Sequence, residues 1–223
     1  MSLVRPEYGP SLPELAAPRV RELPRAGRRL LAVLAALVVV ALALLAVRGS
    51  QSGLHDVLVR KPMAFTLAYK SGVHRVTPQG DEVLRLEAPG SGGAITQTFT
   101  ARPLTLGTYK GDVTADMLSI ASTRLAELRN ADPNLVYRGE GKARINFIPA
   151  YQLSFQTRRN NRLVFGKLFF LAPVTPANPR PTEGIELELI SGLTLAIPSV
   201  TAVGANGALK TPLRSFRFGT ARP

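Results

Sequence analysis

The sequence predicts an α+β fold: an antiparallel β-sheet with flanking helices, preceded by one N-terminal transmembrane helix. Three observations support this prediction: a long uncharged apolar run near the N-terminus, several segments in which polar and apolar residues alternate, and one segment with helical periodicity. Turn signals join many of the alternating segments, which favours hairpins and therefore antiparallel pairing.

The predicted transmembrane helix is Leu30–Val47, a run of 18 residues without a charged or polar side chain. At 1.5 Å per residue it would span about 27 Å, close to the roughly 30 Å of a hydrocarbon core. A cleaved signal peptide is the alternative, but its apolar region is usually only about 7–15 residues long. Because 29 residues precede the run and Ala46–Gly49 lacks an A-x-A site, we expect an uncleaved signal anchor.

Arginines on the N-terminal side of this helix predict its orientation. Arg25, Arg28 and Arg29 lie close to its start, and fewer cations follow its end. The positive-inside rule then places the N-terminus in the cytoplasm and the rest of the chain outside it. The predicted location is a single-pass protein of the cell membrane with an extracytoplasmic domain.

The chain divides into four parts. Residues 1–29 contain five prolines and predict a disordered cytoplasmic tail. The transmembrane helix occupies residues 30–47, and residues 48–61 predict a flexible linker. Residues 62–219 form one block of domain size, which we expect to be the extracytoplasmic α+β domain.

Strands dominate this block. Val73–Thr77 follows a Ser-Gly turn signal and is expected to pair with the first strand. Leu163–Ala172 is apolar on both faces, as in a central strand. The last segment is expected to be a short final strand. The predicted strands are Met63–Lys70, Val73–Thr77, Glu82–Ala88, Ala94–Ala101, Leu135–Arg138, Lys142–Ile148, Ala150–Thr157, Leu163–Ala172, Ile185–Ile190 and Leu213–Gly219.

One segment, Ala115–Leu128, has the period of an amphipathic helix. Thr114 is the expected N-cap, and Asp116 suits the positive end of the helix dipole. The expected buried face consists of Leu118, Ala121, Leu125 and Leu128.

Catalytic and metal-binding motifs are absent from the sequence. The chain has no Cys and two His, which excludes thiolate metal sites and cysteine nucleophiles. It also has no Gly-x-Ser-x-Gly motif and no phosphate-binding loop. Glu183, Glu186 and Glu188 are interpreted as a solvated strand face rather than as metal ligands, because a calcium site needs more oxygen donors. We therefore predict no catalytic residues, no metal and no cofactor.

Positive charge suggests an anionic partner. The net charge is +13, and residues 49–223 contribute +9 of it with 21 basic and 12 acidic residues. Arg158, Arg159 and Arg162 lie in a predicted hairpin loop and are the candidate contact with an anionic surface. An exported domain would meet membrane headgroups or envelope polymers, so nucleic acid is not expected.

The order of elements and several short motifs resemble a known family. These motifs are the turn Tyr69–Gly72, the tripeptide Gly139–Gly141, the long hairpin around Arg158–Arg162 and the ending Ser215–Phe218. Over residues 62–219 the chain resembles the PsbP/Mog1-like α/β/α sandwich family, which includes exported bacterial lipoproteins. An aromatic residue often follows the first turn in that family, whereas Val73 does so here. The resemblance implies a domain that binds or assists other proteins rather than a catalyst.

The resulting hypothesis is a membrane-anchored extracytoplasmic module that binds or assembles with another envelope protein or an anionic envelope surface. Two alternatives remain. A carrier of a small ligand or lipid would require an apolar cavity of roughly 300–1,000 Å³. A carboxylate-based hydrolase would require a cleft in which two acids meet. The sequence does not determine the partner or the oligomeric state.

Overall fold

The structure is a computed structural model that describes residues 24, 34, 36, 37, 40, 53–90, 97–107 and 111–223. Residues Gly53–Pro223 form one compact unit, the domain described below. The predicted tail and transmembrane helix lie outside the described residues, apart from a few positions that include the helical residues Leu34, Ala36, Leu37 and Val40. Among the residues that are described, no helix has both the length and the hydrophobicity that a membrane crossing requires.

The domain has the α+β composition that the sequence predicts. Two helices and a short 3-10 turn at Val200–Ala202 accompany ten strands in its described part. The strands are β1 Leu54–Val59, β2 Phe65–Lys70, β3 His74–Val76, β4 Leu84–Ala88, β5 Gln97–Thr105, β6 Val136–Ile145, β7 Ile148–Arg159, β8 Arg162–Leu171, β9 Glu183–Gly192 and β10 Arg217–Phe218. The helices are α1 Val113–Ala131 and α2 Lys210–Ser215.

The strands form two antiparallel sheets. The larger sheet has seven strands in the order β3-β4-β5-β9-β8-β7-β6, and the smaller has the order β1-β2-β10. Helix α1 packs on one face of the larger sheet, mainly against β7. The smaller sheet and α2 cover the other face, where their side chains share one hydrophobic core with the larger sheet. The domain is therefore a three-layer sandwich.

Strand β8 explains why the larger sheet is covered on both faces. Leu168 and Phe170 point to the core beneath α1, whereas Phe169 and Leu171 point to the core beneath the smaller sheet. Alternate residues of a strand lie on opposite faces, so a strand that is apolar at every position needs cover on both sides. The prediction of a central strand at Leu163–Ala172 is confirmed, with bounds at Arg162–Leu171.

The expected linker and the expected first hairpin need correction. Residues Leu54–Val59, assigned above to a flexible linker, form β1 and pair along their whole length with β2. Val57 and Val59 are buried, so this segment contributes core side chains that its short pattern did not reveal. Strand β3 pairs with β4 rather than with β2, because β1 and β10 occupy both edges of β2.

The helix and the C-terminal segment also differ from the predictions. Helix α1 begins two residues earlier, because the side chain of Asp112, not Thr114, caps it by accepting a hydrogen bond from the Thr114 amide. Met117 and Ala121 are buried, whereas Leu118 is exposed. The final segment is not one strand: α2 precedes the two-residue strand β10.

Candidate functional site

A cluster of charged residues lies on the same face of the larger sheet as α1, on β5 and β9 beside the helix. Arg102 on β5 lies directly opposite Glu186 on β9, so both side chains leave the same face of the sheet. Arg102 contacts four carboxylates, and we call this group the Arg102 cluster. The contacts are Asp81 at 3.1 Å, Glu82 at 3.2 Å, Glu186 at 3.3 Å and Glu188 at 2.8 Å.

Helix α1 adds a second guanidinium to this cluster. Arg124 Nε lies 3.3 Å from Glu186 Oε1, a contact of opposite charges without hydrogen-bond geometry, and Arg124 NH1 donates to Glu127 at 2.8 Å. Arg85 donates to Glu82 and Glu87 on the other side of the cluster. Glu186 is thus a buried, paired residue, and its assignment to a solvated strand face is wrong. No motif in the sequence points to Arg102. The register of β5 and β9 places this cation directly opposite Glu186.

The charges in the cluster are unequally stabilised. Burial raises the pKa of Glu186, and the charge of Glu188 raises it further, while Arg124 and Arg102 oppose this shift. Burial alone would lower the pKa of Arg102, but attraction and hydrogen bonding by Glu188, with attraction by Glu186 and Asp81, leave it raised. Arg102 therefore remains a cation, and burial favours the protonated form of Glu186.

A cavity of about 320 Å³ opens beside the cluster, and its lining includes Asp81, Glu127 and Glu186. It is a cleft where acids meet, as the hydrolase alternative requires. Each of these carboxylates, however, lies within 3.3 Å of a guanidinium nitrogen. Paired carboxylates of this kind stabilise a fold or hold a charged ligand more readily than they transfer protons. In the described part of the chain, no group of three or more His, Asp or Glu residues is arranged to hold a metal ion.

We predict that the titration of Glu186 lowers the stability of the domain as the pH rises. Because the pKa of Glu186 is raised from its ordinary value of 4.5, the folded state binds this proton more tightly than the unfolded chain does. Its favourable contribution is complete below the unfolded pKa and is lost as the pH rises through the folded pKa. The free energy of unfolding of the wild type, minus that of Glu186→Gln, should therefore fall as the pH rises from 4.5, the ordinary pKa, to neutrality.

Denaturant unfolding of both proteins over this pH range measures the difference. Glu183→Gln removes a carboxylate from an exposed position of the same strand and corrects for the loss of one negative charge. A difference that stays constant or grows with pH would contradict the prediction.

A second surface lies at the turn between β6 and β7, where an aromatic side chain is exposed. Phe147 is 88% exposed at the tip of this two-residue turn. Both turn residues have positive φ, 47° at Asn146 and 70° at Phe147. Such turns favour Asn and Gly, and a bulky residue in this conformation costs roughly 1–2 kcal/mol. The next hairpin has the same two-residue length and uses Asn160 and Asn161, at φ 50° and 60°.

An apolar groove of about 520 Å³ lies beside Phe147. The side chain of Asn146 donates to the carbonyl of Phe216 at 3.3 Å, which ties the turn to a buried aromatic residue of the core. Arg217 provides a cation in the lining of the groove. We call Phe147 and this groove the turn surface, and the other lining residues are Asn146, Ile148, Pro149, Ala172, Pro173, Val174, Thr175 and Phe218.

The candidate anionic-surface residues lie at the opposite end of β7. Arg158, Arg159 and Arg162 are exposed, but they belong to the paired ends of β7 and β8, and only Asn160 and Asn161 form the turn. Strand β7 has 12 residues, so this end lies about 40 Å from the turn surface along the strand. The structure therefore does not combine the predicted arginines with the exposed aromatic residue.

Two exposed leucines follow β9 and lie close in space to these arginines. The amide of Leu193 donates to the carbonyl of Leu163, the residue after Arg162, at 3.1 Å. Leu195 follows in a tight turn and is fully exposed, and Leu193 is about half exposed. We call Arg158, Arg159, Arg162, Leu193 and Leu195 the arginine end.

Comparison with known proteins defines the fold. No protein-family model and no curated protein matches the sequence. Among solved structures, the cyanobacterial PsbP protein CyanoP from Synechocystis sp. PCC 6803 superposes with a TM-score of 0.53 at 10% identity, covering 75% of this chain and 94% of that one. The domain has a PsbP-like fold. The expected resemblance to PsbP/Mog1-like proteins is confirmed at the level of the fold.

A second structure similar to the PsbP-like domain is LpqN of Mycobacterium tuberculosis, described as involved in cell envelope biogenesis. It matches with a TM-score of 0.48 at 13% identity and covers 73% of this chain and 90% of that one. At these identities, the comparisons do not assign functional residues to the PsbP-like domain.

Proposed function

We propose that this chain is a membrane-tethered, non-catalytic binding or assembly module of the cell envelope. In this proposal Leu30–Val47 anchors the chain with its N-terminus in the cytoplasm, Arg25, Arg28 and Arg29 set the orientation, and the PsbP-like domain lies outside. Its partner is another envelope protein, which it engages through the turn surface.

The conformation of Phe147 carries the proposal. An exposed aromatic side chain contributes nothing to the core, and here it also occupies a backbone conformation that disfavours it. Strained residues that the surrounding structure holds in place concentrate at functional sites. Aromatic side chains beside apolar pockets are typical anchors of protein interfaces. A protruding Phe147 next to a groove is therefore best explained by a partner that buries both.

The shortened linker strengthens the tethering argument. Because the folded domain begins at Leu54, only residues 48–53 remain between it and the predicted transmembrane helix. Six residues extend over at most about 20 Å. A tether this short raises the effective concentration of the domain next to partners in the same membrane.

The groove also supports a second candidate, a carrier of a small apolar ligand or lipid. Its volume of about 520 Å³ lies within the usual range for ligand pockets, and its lining is mainly apolar. Such pockets usually bury most of their ligand, however, whereas Phe147, which lines this groove, is 88% exposed. For this reason we place the protein partner first.

Site-specific crosslinking in intact cells should capture the partner from the turn surface. The chain has no natural cysteine, so Val174→Cys, on the wall of the groove, carries a photo-crosslinker at one position in the full chain and leaves Phe147 in place. We expect a discrete crosslinked band that contains a second envelope protein. A membrane-impermeant reagent tests at the same time whether the domain lies outside the cytoplasm.

Leu118→Cys is the matched control, because Leu118 is an exposed apolar residue on α1, away from the groove. It should give no such band. Equal crosslinking from both positions, or none from Val174→Cys, would contradict a protein partner at the turn surface. An apolar small molecule that copurifies with the uncrosslinked chain would favour the carrier instead.

We also propose that the arginine end contacts anionic lipid headgroups. Arg158, Arg159 and Arg162 supply positive charge for the headgroups, and Leu195 supplies an exposed apolar side chain that can enter the interface. The cations and the exposed leucines lie together at one end of the strands. This combination supports a membrane surface more than a soluble anion.

A polarity-sensitive fluorophore on Leu195→Cys should report this contact in the full chain reconstituted in nanodiscs. We expect a blue shift with phosphatidylglycerol that is absent with phosphatidylcholine alone, because the attraction depends on charge. Exchanging Arg158, Arg159 and Arg162 for Gln should abolish the shift. The same emission in both lipids, or no effect of the exchange, would reject the contact.

A further inference from the structure

A cavity of about 210 Å³ lies between the larger sheet and the C-terminal segment, on the face opposite α1. Arg144 of β6, Lys167 of β8 and Arg214 of α2 contribute three cations to its lining. Phe169 and Leu213 are among the apolar residues beside them. We call this cavity the basic pocket.

The charge balance of the basic pocket differs from that of the Arg102 cluster. Among the described residues that line it, there are three cations and no carboxylate. Arg102 and Arg124, by contrast, are surrounded by acids. Burial of the Lys167 ammonium costs free energy, and no carboxylate among the described lining residues offsets that cost. An anion within the pocket would remove this unfavourable term.

Lys167 is the least expected of the three cations. It belongs to the central strand β8, between Gly166 and Leu168, and its strand partner on β9 is Leu189. Burial lowers the pKa of Lys167, and no carboxylate offsets this effect. Its ammonium donates to the Thr201 carbonyl at 3.0 Å, which accounts for one of its three hydrogens. An apolar residue would avoid the burial of charge at this position, so the lysine needs a reason other than packing.

The absence of a side chain at Gly204 allows the C-terminal segment to pack closely against the larger sheet. Gly204 has φ +74°, and a Cβ atom there would lie 2.5 Å from Leu213 Cδ2 and 2.9 Å from Leu189 Cδ2. Only glycine fits this approach. The segment that carries Arg214 is therefore held against β9, the strand next to β8, close to Lys167.

We propose that the basic pocket binds a phosphate group. The guanidinium of Arg214 can donate paired hydrogen bonds to phosphate oxygens, and the ammonium of Lys167 adds a point charge. The phosphate can belong to a soluble phosphate ester or to the headgroup of an anionic lipid. The pocket contains neither Phe147 nor the groove, so it does not depend on a protein partner at the turn surface.

Titration of the full chain in nonionic detergent with inorganic phosphate and with glycerol phosphate tests the soluble source, and isothermal calorimetry measures the affinity. We expect saturable binding that Lys167→Met weakens about tenfold, because each hydrogen bond between charged groups contributes that much. Arg214→Gln should weaken binding similarly. Arg75→Gln, an exposed cation on edge strand β3, is the matched control and should leave the affinity unchanged.

Nanodiscs with and without phosphatidylglycerol test the lipid source, with the phosphorus NMR linewidth of the headgroup as the readout. Broadening that needs phosphatidylglycerol and is lost in Lys167→Met would identify a headgroup. Absence of saturable binding in both arms, or an equal loss in Arg75→Gln, would overturn the proposal. Phosphate binding that persists in Phe147→Asn separates this pocket from the turn surface, whichever of the two proposals fails.

Discussion

Replacing Arg102 by methionine should destabilise the domain by about 3–5 kcal/mol, the range observed when one partner of a buried ion pair is removed. The side chains of Glu82 and Glu186 are only 2% and 8% exposed, so their charges would remain in the protein without their shared partner. Asp81 contributes little, since it is mostly exposed. Chemical denaturation of the variant at neutral pH measures the loss.

Two further variants separate this effect from a loss of packing. Arg75→Met removes an exposed arginine from β3 and should change the free energy of unfolding by no more than about 0.5 kcal/mol. Adding Glu186→Gln to Arg102→Met should recover part of the lost stability, because it neutralises a buried carboxylate that Arg124 alone would then contact. A loss below about 1 kcal/mol for Arg102→Met would mean that the cluster behaves as a surface ion pair.

Replacing Phe147 by asparagine should separate binding from stability. The variant gives the β6–β7 turn the same Asn-Asn pair as the β7–β8 turn, so the domain should gain about 1 kcal/mol by relief of strain. If Phe147 anchors the partner, its loss should weaken binding by about 30-fold or more, as for an interface hot spot. The crosslinking yield from a probe at Val174→Cys, on the wall of the groove, reports binding in both backgrounds.

The reciprocal variant Asn161→Phe is the control for strain. It places a phenylalanine in the left-handed conformation of the β7–β8 turn and should cost about 1–2 kcal/mol. Its probe at Val174→Cys should crosslink as in the wild type. If Phe147→Asn is more stable but crosslinks undiminished, the aromatic side chain is not the anchor.

The sequence predicted best where one pattern determines one structure. The alternating β7 segment and the apolar β8 segment appear at the expected positions, with bounds shifted by one or two residues. Prediction failed where the partner of a segment lies far along the chain. Strand β2 pairs with β10, which lies about 150 residues later in the sequence, and a local turn motif cannot predict such a pairing.

The candidate sites follow the same division. Arg158, Arg159 and Arg162 could be identified from the sequence as a basic group because they lie within five residues of one another. The Arg102 cluster was not visible, because its members come from β4, β5, β9, α1 and the connecting segments. Phe147 was assigned to a strand interior at 142–148, where an aromatic residue is ordinary. In the structure Phe147 instead lies in the two-residue turn after β6, where its side chain is exposed and its φ is positive.

Hydrophobic periodicity in the sequence determined the α+β class, the central strand and the amphipathic helix, because burial of apolar side chains depends on local spacing. The sequence also predicts a transmembrane helix at Leu30–Val47, a segment that lies mostly outside the described residues. Only the tertiary structure decided which strands pair, which carboxylates surround Arg102 and which cations share the basic pocket. These arrangements depend on contacts between residues far apart in the chain, and their energies depend on how deeply each charge is buried.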